Sequence, residues 1–238
     1  MRIYKQCYGI GLMALLIGLA GCSLKREDVG PYQSAQQTYS FTNFDRLDMG
    51  SAFTVTVQQG PTYSITVEGD RRNLDDLDVY TRNGTLRAQY RVSRNRKYST
   101  TFRITMPTLR GVDFSGAARS TITGFTDLSD LDVRLSGASE GEFTVQSART
   151  NVELSGASKL RMNGNGTSLT ANLSGASLLQ GFSYPVSEAN LDASGASKAN
   201  VNVANSLVVE ASGASSVRYL GSPSLRQRVS GASSVERE

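Results

Sequence analysis

Ser136-Gly137-Ala138-Ser139 is one copy of a tetrapeptide that recurs along the second half of this 238-residue chain. Five other copies are identical, and a degenerate copy, Ser-Gly-Ala-Ala, precedes them. The seven copies begin at Ser115, Ser136, Ser155, Ser174, Ser194, Ser212 and Ser230. Successive copies lie 18 to 21 residues apart, and self-similarity at such a period is typical of a solenoid.

The residues flanking the tetrapeptide alternate between apolar and polar, as in strands with one inward face. The position before the first serine is apolar in every copy: Phe114, Leu135, Leu154, Leu173, Ala193, Ala211 and Val229. Glycine suits a sharp or positive-φ bend, and the alanine is expected where that bend leaves little interior room. Each repeat, or rung, is therefore predicted to be a strand, a corner and a second strand. Because one rung cannot close a core, stacked rungs forming an all-β parallel β-helix are predicted.

Charged residues on the outward face predict the register of this stack. The position two before the serine is occupied by Asp113, Arg134, Glu153, Asn172, Asp192, Glu210 and Arg228. In-register stacking places opposite charges on neighbouring rungs: Asp113–Arg134–Glu153, Glu210–Arg228, Glu142–Arg161 and Arg218–Glu236. Each pair contributes only about 0.2–1 kcal/mol, but a slipped register would lose several of them.

The chain before the repeats also alternates with period two, from residue 38 to about residue 110. Strands are predicted at residues 53–57, 63–67, 77–80, 86–90 and 102–106. Asn83-Gly84 separates two of them and is typical of a type I′ hairpin turn. No stretch shows a sustained helical period, so these less regular strands are assigned to the same β-helix domain, residues 38–238, with regular repeats from about residue 110.

The amino terminus has the composition of an export signal. Arg2 and Lys5 precede an apolar stretch that runs to Leu19. Leu19-Ala20-Gly21-Cys22 resembles the bacterial lipobox, which predicts removal of residues 1–21 and diacylation of Cys22; an ordinary signal peptide containing a cysteine is the alternative. Residues 22–37 are predicted to be the lipidated cysteine and a flexible tether. Ser23 suits sorting to the outer membrane, facing either the periplasm or the cell surface.

Composition excludes several kinds of chemistry. The chain has no histidine, and its two cysteines are Cys7 and Cys22, so the mature domain has no thiol for catalysis or metal binding. Loss of Arg2 and Lys5 with residues 1–21 lowers the formal charge from +4 to +2. This balance gives no argument for nucleic-acid binding, and no cofactor or metal is predicted.

The order of these parts resembles a known family. The segments that carry the resemblance are Phe44-Asp45-Arg46-Leu47, Val67-Glu68-Gly69-Asp70, Ile104-Thr105-Met106-Pro107 and the Ser-Gly-Ala-Ser rungs. Over roughly residues 40–238 the chain resembles the auto-transporter adhesin head domain, or GIN domain, of lipoproteins from Bacteroidetes-like bacteria. The resemblance implies a right-handed parallel β-helix and an adhesin-like surface role, and it carries no established catalytic residues.

Two patterns could indicate catalysis. Gly137-Ala138-Ser139-Glu140-Gly141 matches the nucleophile-elbow pattern, but the elbow needs a helix and a histidine base, so Ser139 is interpreted as part of a repeated corner.

Asp192 and Glu210 are like charges on adjacent rungs, about 5 Å apart. Such a candidate acidic pair could serve acid–base hydrolysis or bind calcium. Alternatively, Lys198, Arg228 or solvent relieves the repulsion.

A basic stretch with interleaved tyrosines lies between the predicted strands. It consists of Arg91, Arg94, Arg96, Lys97 and Arg103, with Tyr90 and Tyr98. Contact with anionic lipid headgroups or polysaccharide is one interpretation. A charged hairpin tip in water is the favoured one.

Three functions are compatible with these observations. The first is a lipid-anchored, non-catalytic β-helix that binds a glycan or a surface protein. The alternatives are a structural or envelope-assembly lipoprotein and a carbohydrate-active enzyme. Val235-Glu236-Arg237-Glu238 supplies charge at the end of the last rung, and the sequence does not decide whether a second copy docks there.

Overall fold

The computed structural model describes residues 30–238, which form sixteen strands and one four-residue helix. The elements up to the repeats are β1 (Ser34–Tyr39), β2 (Arg46–Met49), β3 (Thr54–Gln59), β4 (Ser64–Asp70), α1 (Arg71–Leu74), β5 (Leu77–Arg82), β6 (Thr85–Tyr90), β7 (Thr101–Met106) and β8 (Gly111–Phe114). The remaining strands are β9 (Arg119–Leu135), β10 (Glu140–Leu154), β11 (Lys159–Leu173), β12 (Leu178–Ala193), β13 (Lys198–Ala211), β14 (Ser216–Leu220), β15 (Ser224–Val229) and β16 (Ser234–Arg237).

The repeats stack as a parallel β-solenoid, as predicted. Each long strand from β9 to β13 runs from one corner to the next and pairs in parallel with its neighbours. Glu153 lies opposite Arg134 on one side and Asn172 on the other, so the predicted register is confirmed. Arg218 lies opposite Glu236, as predicted, although its ion pair is with Glu238 at 3.5 Å.

The corner glycines are required by both backbone conformation and space. Gly156 has φ +72°, and a Cβ built on it would lie 2.5 Å from the carbonyl oxygen of Gly137 on the preceding rung. The amide of Ala157 donates to that same oxygen at 2.7 Å. Since this hydrogen bond holds the two rungs together at the corner, a side chain on the glycine would push them apart.

The alanine of the corner does not face the interior, so that expectation is wrong. Ala138 is exposed, whereas the serine that follows it, Ser139, is fully buried. Side chains alternate between inward and outward along each strand, and the left-handed glycine of the corner interrupts this alternation. The alanine of the tetrapeptide therefore points outward, and its fourth residue points inward. In the degenerate first copy this inward position is taken by Ala118, also fully buried, which indicates that small size is what the position requires.

A further rung lies in the part of the chain where no repeat is visible. Gly50-Ser51-Ala52-Phe53 forms its corner, with Ser51 and Ala52 at φ +58° and +57°. β2 pairs in parallel with both β6 and β8, and β3 pairs in parallel with both β7 and β9. The β2–β3 rung is therefore inserted between the later β6–β7 rung and the first repeat. The rungs are stacked out of chain order at this end.

Antiparallel strands cover the end of the stack beyond the β6–β7 rung. β1 pairs with β4, β4 with β7, and β5 with β6. The β5–β6 hairpin turns at Asn83 and Gly84, both with positive φ, as predicted. Asp70 caps the unpredicted helix α1 and binds the guanidinium of Arg72, which holds the pKa of this carboxyl well below its usual range.

The last four residues of the predicted tether, 34–37, lie in a strand, so that boundary is wrong. β1 begins at Ser34, and its backbone pairs with β4 up to Asp70. This strand is hard to predict from the sequence because it lies at a sheet edge and has no fully buried side chain. The predicted signal peptide and Cys22 lie outside the described residues. Residues 31–238 form one compact unit with its own core, and residues 30–238 contain no helix long and apolar enough to cross a bilayer.

Candidate binding face

The outward side chains of the strands that precede each corner form a continuous polar surface, here called the ladder face. Its central row, from rung to rung, is Arg87, Asp48, Asp113, Arg134, Glu153, Asn172, Asp192, Glu210 and Arg228. A second row, two residues earlier in each strand, contains Arg46, Asp132, Asn151, Thr170 and Asn190. Because side chains alternate along a strand, both rows point to solvent while the residues between them form the core.

Hydrogen bonds between rungs hold the middle of this face in place. The guanidinium of Arg134 donates to Glu153 at 2.8 Å. Asp132 accepts from Asn151 at 2.9 Å and from Arg46 at 3.0 Å. The two hydrogen bonds hold the pKa of Asp132 below its usual range, and the bond from Asn151 contributes most to this shift. The side chains are thus oriented before any ligand arrives, which lowers the entropy cost of binding.

A shallow groove of about 270 Å³ lies on the ladder face. The polar residues that line it are Asp132, Arg134, Asn151, Glu153, Thr170 and Asn172. They offer both donors and acceptors on three successive rungs, and the groove is open to solvent along its length. Such a surface suits an extended polar ligand better than a small molecule that must be enclosed.

The structure reveals a second pair of carboxylates that the sequence did not indicate. Asp48 lies directly opposite Asp113 because the β2–β3 rung stacks against the first repeat. Asp113 is exposed, but neighbouring residues shield its carboxyl from part of the solvent. Its pKa is raised, mainly by this partial desolvation and then by the charge of Asp48, while Arg134 opposes the shift. The two residues are 65 positions apart in the chain, and β2, which carries Asp48, has no recognisable repeat motif, so only the stacking order could bring them together.

The predicted pair Asp192 and Glu210 also lies on this face, directly opposite one another on neighbouring rungs. Arg228, on the next rung, contacts Glu210 at 3.3 Å. Within residues 30–238 no group of three or more carboxylate, thiol or imidazole side chains is arranged to hold a metal ion. The contact with Arg228 is one of the ways in which the repulsion was expected to be relieved, and a functional role for the pair stays a prediction.

Replacing Asp113 with asparagine is expected to raise the free energy of unfolding at pH 7 by about 0.5 kcal/mol, since this exposed site is screened by solvent. The folded pKa lies above the unfolded value, so ionisation costs stability as the pH rises through the folded pKa. Below the unfolded pKa of about 3.9 both states are protonated, and the gain should vanish. Urea unfolding at pH 3 and pH 7 measures this difference.

Asp130 provides the matched control for that prediction. Its carboxylate binds Arg149 at 2.6 and 3.0 Å, and this hydrogen bonding lowers its pKa. Asp130→Asn should therefore lose stability at pH 7, with the loss disappearing as the pH falls through the folded pKa. If Asp113→Asn and Asp130→Asn changed stability in the same direction, the assigned causes of the two shifts would be wrong.

The elbow-like sequence around Ser139 is structural, as expected. The Ser139 side chain is fully buried, and its hydroxyl donates to the carbonyl of Ser136 at 2.8 Å. This is a hydrogen bond within one corner. A nucleophile needs an accessible oxygen, and this one faces the core of the solenoid.

The basic stretch is not a hairpin tip, so that interpretation is wrong. Residues 91–100 connect β6 to β7 at the position where later rungs have their corner. The guanidinium of Arg96 lies 3.5 Å from the centre of the Tyr90 ring, binds Asp76 and donates to Asn73 at 3.2 Å. Its side chain is only 8 % exposed. Arg96 is therefore part of the fold and does not contact a membrane.

Aromatic side chains contribute little to the ladder face. Of the aromatics in the repeats, Phe114, Phe125, Phe143 and Tyr184 are buried, and Phe182 and Tyr219 are half-buried. The hydroxyl of Tyr184 is hydrogen-bonded to that of Thr150 at 2.9 Å inside the solenoid. A ligand of this face would be held by polar groups and not by ring stacking.

Comparison with protein families assigns the fold described above. Residues 43–223 match the model of the family described as "Putative auto-transporter adhesin, head GIN domain". The chain belongs to this family. The match begins just before β2 and ends after β14, so it covers the inserted rung, the antiparallel strands other than β1 and most of the repeats of this GIN-domain protein.

Solved structures with the same fold include proteins from Bacteroides and Parabacteroides species. A putative adhesin from Bacteroides fragilis has a TM-score of 0.82 and 19% identity, covering 87% of the GIN-domain protein and 97% of its own chain. A putative adhesin from Parabacteroides merdae has a TM-score of 0.70, 15% identity and coverages of 87% and 96%. A structure described as a putative lipid binding protein from Parabacteroides distasonis has a TM-score of 0.68, 12% identity and coverages of 87% and 97%. No curated protein sequence matches the chain.

Proposed function

We propose that this protein is a non-catalytic, adhesin-like outer-membrane lipoprotein that is anchored through Cys22 and binds a glycan or protein ligand on its ladder face. The observation that carries the proposal is the set of inter-rung hydrogen bonds around Asp132, Asn151, Arg134 and Glu153. They present an ordered row of donors and acceptors to solvent. Membership of an adhesin-like family supports the same role.

The groove favours a polysaccharide as the first ligand to test. Its lining of carboxylate, amide, guanidinium and hydroxyl groups matches the hydrogen-bonding capacity of sugar hydroxyls. The groove continues over successive rungs about 4.8 Å apart, so an extended chain can contact several rungs at once. A protein ligand would have to use the same polar groups.

A glycan array of bacterial and host surface polysaccharides, probed with residues 23–238, tests ligand binding. We expect the double variant Asp132→Ala, Asn151→Ala to weaken binding about tenfold, because each lost hydrogen bond contributes about 0.5–1.5 kcal/mol. The matched control is Thr144→Ala, Asn200→Ala, which changes one exposed and one half-buried polar residue on the strands after the corners. Absence of any glycan or surface-protein binding would favour the structural or envelope-assembly role.

Lipid anchoring has a separate test. In cells fed labelled palmitate, the wild-type protein should acquire label and fractionate with membranes, because the Leu19-Ala20-Gly21-Cys22 ending directs acylation of Cys22. Cys22→Ser should abolish the label, and the protein should stay in the precursor form. Cys7→Ser is the control and should label normally. A wild-type protein that is exported without label would show that the segment is an ordinary signal peptide.

A further inference from the structure

The rung formed by β15 and β16 exposes residues that face the core in every preceding rung. Leu225 is 36% exposed and Val229 is 41% exposed. At the same positions one rung earlier, Leu207 is 0% and Ala211 is 3% exposed. The difference arises because the earlier rung is covered by a neighbour on both sides. The β15–β16 rung thus presents an uncovered cross-section of the core.

The backbone edges of this rung are also unpaired within residues 30–238. β15 pairs with β13 alone, and β16 pairs with β14 alone. Their outer N–H and C=O groups therefore form two short edges that meet at the corner Ser230-Gly231-Ala232-Ser233. Exposed edges with an apolar face are templates for pairing with another strand.

Charge is distributed unequally between the two arms of the rung. On β15 the outward residues include Arg226 and Arg228, and on the other arm they are Glu236 and Glu238. Arg228 contacts Glu210 on its own face, and Glu238 contacts Arg218. Arg226 and Glu236 have no ion-pair partner among residues 30–238. Arg237, between the two glutamates, occupies a core-facing position and donates to the hydroxyl of Ser222 at 2.8 Å. The outward residues are thus basic on one arm and acidic on the other, at matching distances from the corner.

We propose that two copies of this chain dock end to end through the β15–β16 rung, related by a two-fold axis that passes through the corner. β15 runs towards the corner and β16 runs away from it. Rotation about such an axis therefore lays β15 of one copy antiparallel to β16 of the other. The same contact is made twice, so both unpaired edges are satisfied together.

In a register centred on Ala232, apolar residues of the two copies lie opposite one another, and outward residues of opposite charge do so as well. Val229 of one copy then lies opposite Val235 of the other, and both side chains face the core. On the outside, Arg228 faces Glu236, and Arg226 faces Glu238. Opposed residues of an antiparallel pair point to the same side of the sheet, so no side chain has to change face.

Two-fold docking fits better than head-to-tail stacking. The other end of the solenoid is covered by antiparallel strands, with edges at β1 and β5. β1 carries Gln36 and Thr38 on its exposed side, and β5 carries both Asp78 and Arg82, so neither edge has charges of one sign that would match the arginines or the glutamates. A head-to-tail contact would also leave one edge unpaired in every assembly and build an open filament. The two-fold contact closes after two copies.

Sedimentation of residues 23–238 tests the proposal independently of any ligand or lipid anchor. The wild-type fragment should have the mass of two chains. Arg226→Glu, Arg228→Glu makes both arms acidic, and Glu236→Arg, Glu238→Arg makes both arms basic. Each double variant alone should have the mass of one chain. An equimolar mixture should regain the mass of two chains, because only then does every arginine meet a glutamate.

Arg82→Glu, a charge reversal in the β5–β6 hairpin, is the control and should remain dimeric. Circular dichroism of each variant checks that the solenoid is folded. A monomeric wild-type fragment, a dimer that survives in either double variant, or a mixture that stays monomeric would overturn the proposal. Masses that grow with concentration beyond two chains would instead indicate head-to-tail stacking.

Discussion

Gly175→Val is expected to lower the free energy of unfolding by about 3 kcal/mol or more. Gly175 has φ +71°, a conformation that costs a residue with a side chain about 1–2 kcal/mol. A Cβ at this position would also lie 2.6 Å from the carbonyl oxygen of Gly156, and such overpacking adds about 1–3 kcal/mol. Chemical denaturation of residues 23–238, followed by circular dichroism, measures the loss.

The same corner offers a matched control for Gly175→Val. Ala176 is exposed, so Ala176→Ser should change stability by less than about 0.5 kcal/mol. Gly175→Ala should fall between the two variants, because it adds the Cβ without further branching. Near-wild-type stability of Gly175→Val would mean that the rungs separate at the corner at little cost, and that the glycine ladder does not set their spacing.

Arg96→Met is expected to cost about 3 kcal/mol, because it removes one partner of a nearly buried ion pair. Asp76, whose side chain is only 14% exposed, would retain just a 3.9 Å contact with Arg94. The methionine would also lose the cation–π contact with Tyr90 and the hydrogen bond to Asn73. Thermal and denaturant unfolding of the fragment measure the change.

Arg91→Met is the control within the same stretch. Arg91 is exposed and donates to the backbone of Asp75 at 3.3 Å, so its replacement should cost less than about 1 kcal/mol. The double variant Arg96→Met, Asp76→Leu should be more stable than Arg96→Met alone, since it no longer leaves an unpaired carboxylate. Equal, small effects of Arg91→Met and Arg96→Met would show that the contacts of Arg96 with Asp76 and Tyr90 do not stabilise the fold.

The candidate binding face could be anticipated only where the chain repeats. The facing positions of Asp113, Arg134 and Glu153 follow from counting residues relative to the corner, and the structure confirms them. The contact of Asp48 with Asp113 could not be found in this way. β2 carries no recognisable corner motif, and an alternating strand of four residues has no feature that specifies which other strand it joins.

The sequence alone determined the solenoid, its register and the need for glycine at each corner. These properties follow from local periodicity: a period of two sets the faces of a strand, and a fixed interval of 18 to 21 residues brings equivalent positions together. The hairpin at Asn83-Gly84 was also determined by local sequence, because a type I′ turn depends on the two residues that form it.

The tertiary structure decided which rung lies next to which at the amino-terminal end, and with it the environment of Arg96 and Asp113. Pairing between β2 and β8, or between β3 and β9, joins segments about 65 residues apart through backbone hydrogen bonds that any sequence can make. It also decided that Ser139, and not Ala138, faces the core. Which of the two residues points inward depends on how the left-handed glycine of the corner changes the alternation of side chains between the two strands. The repeat would look the same in the sequence in either case.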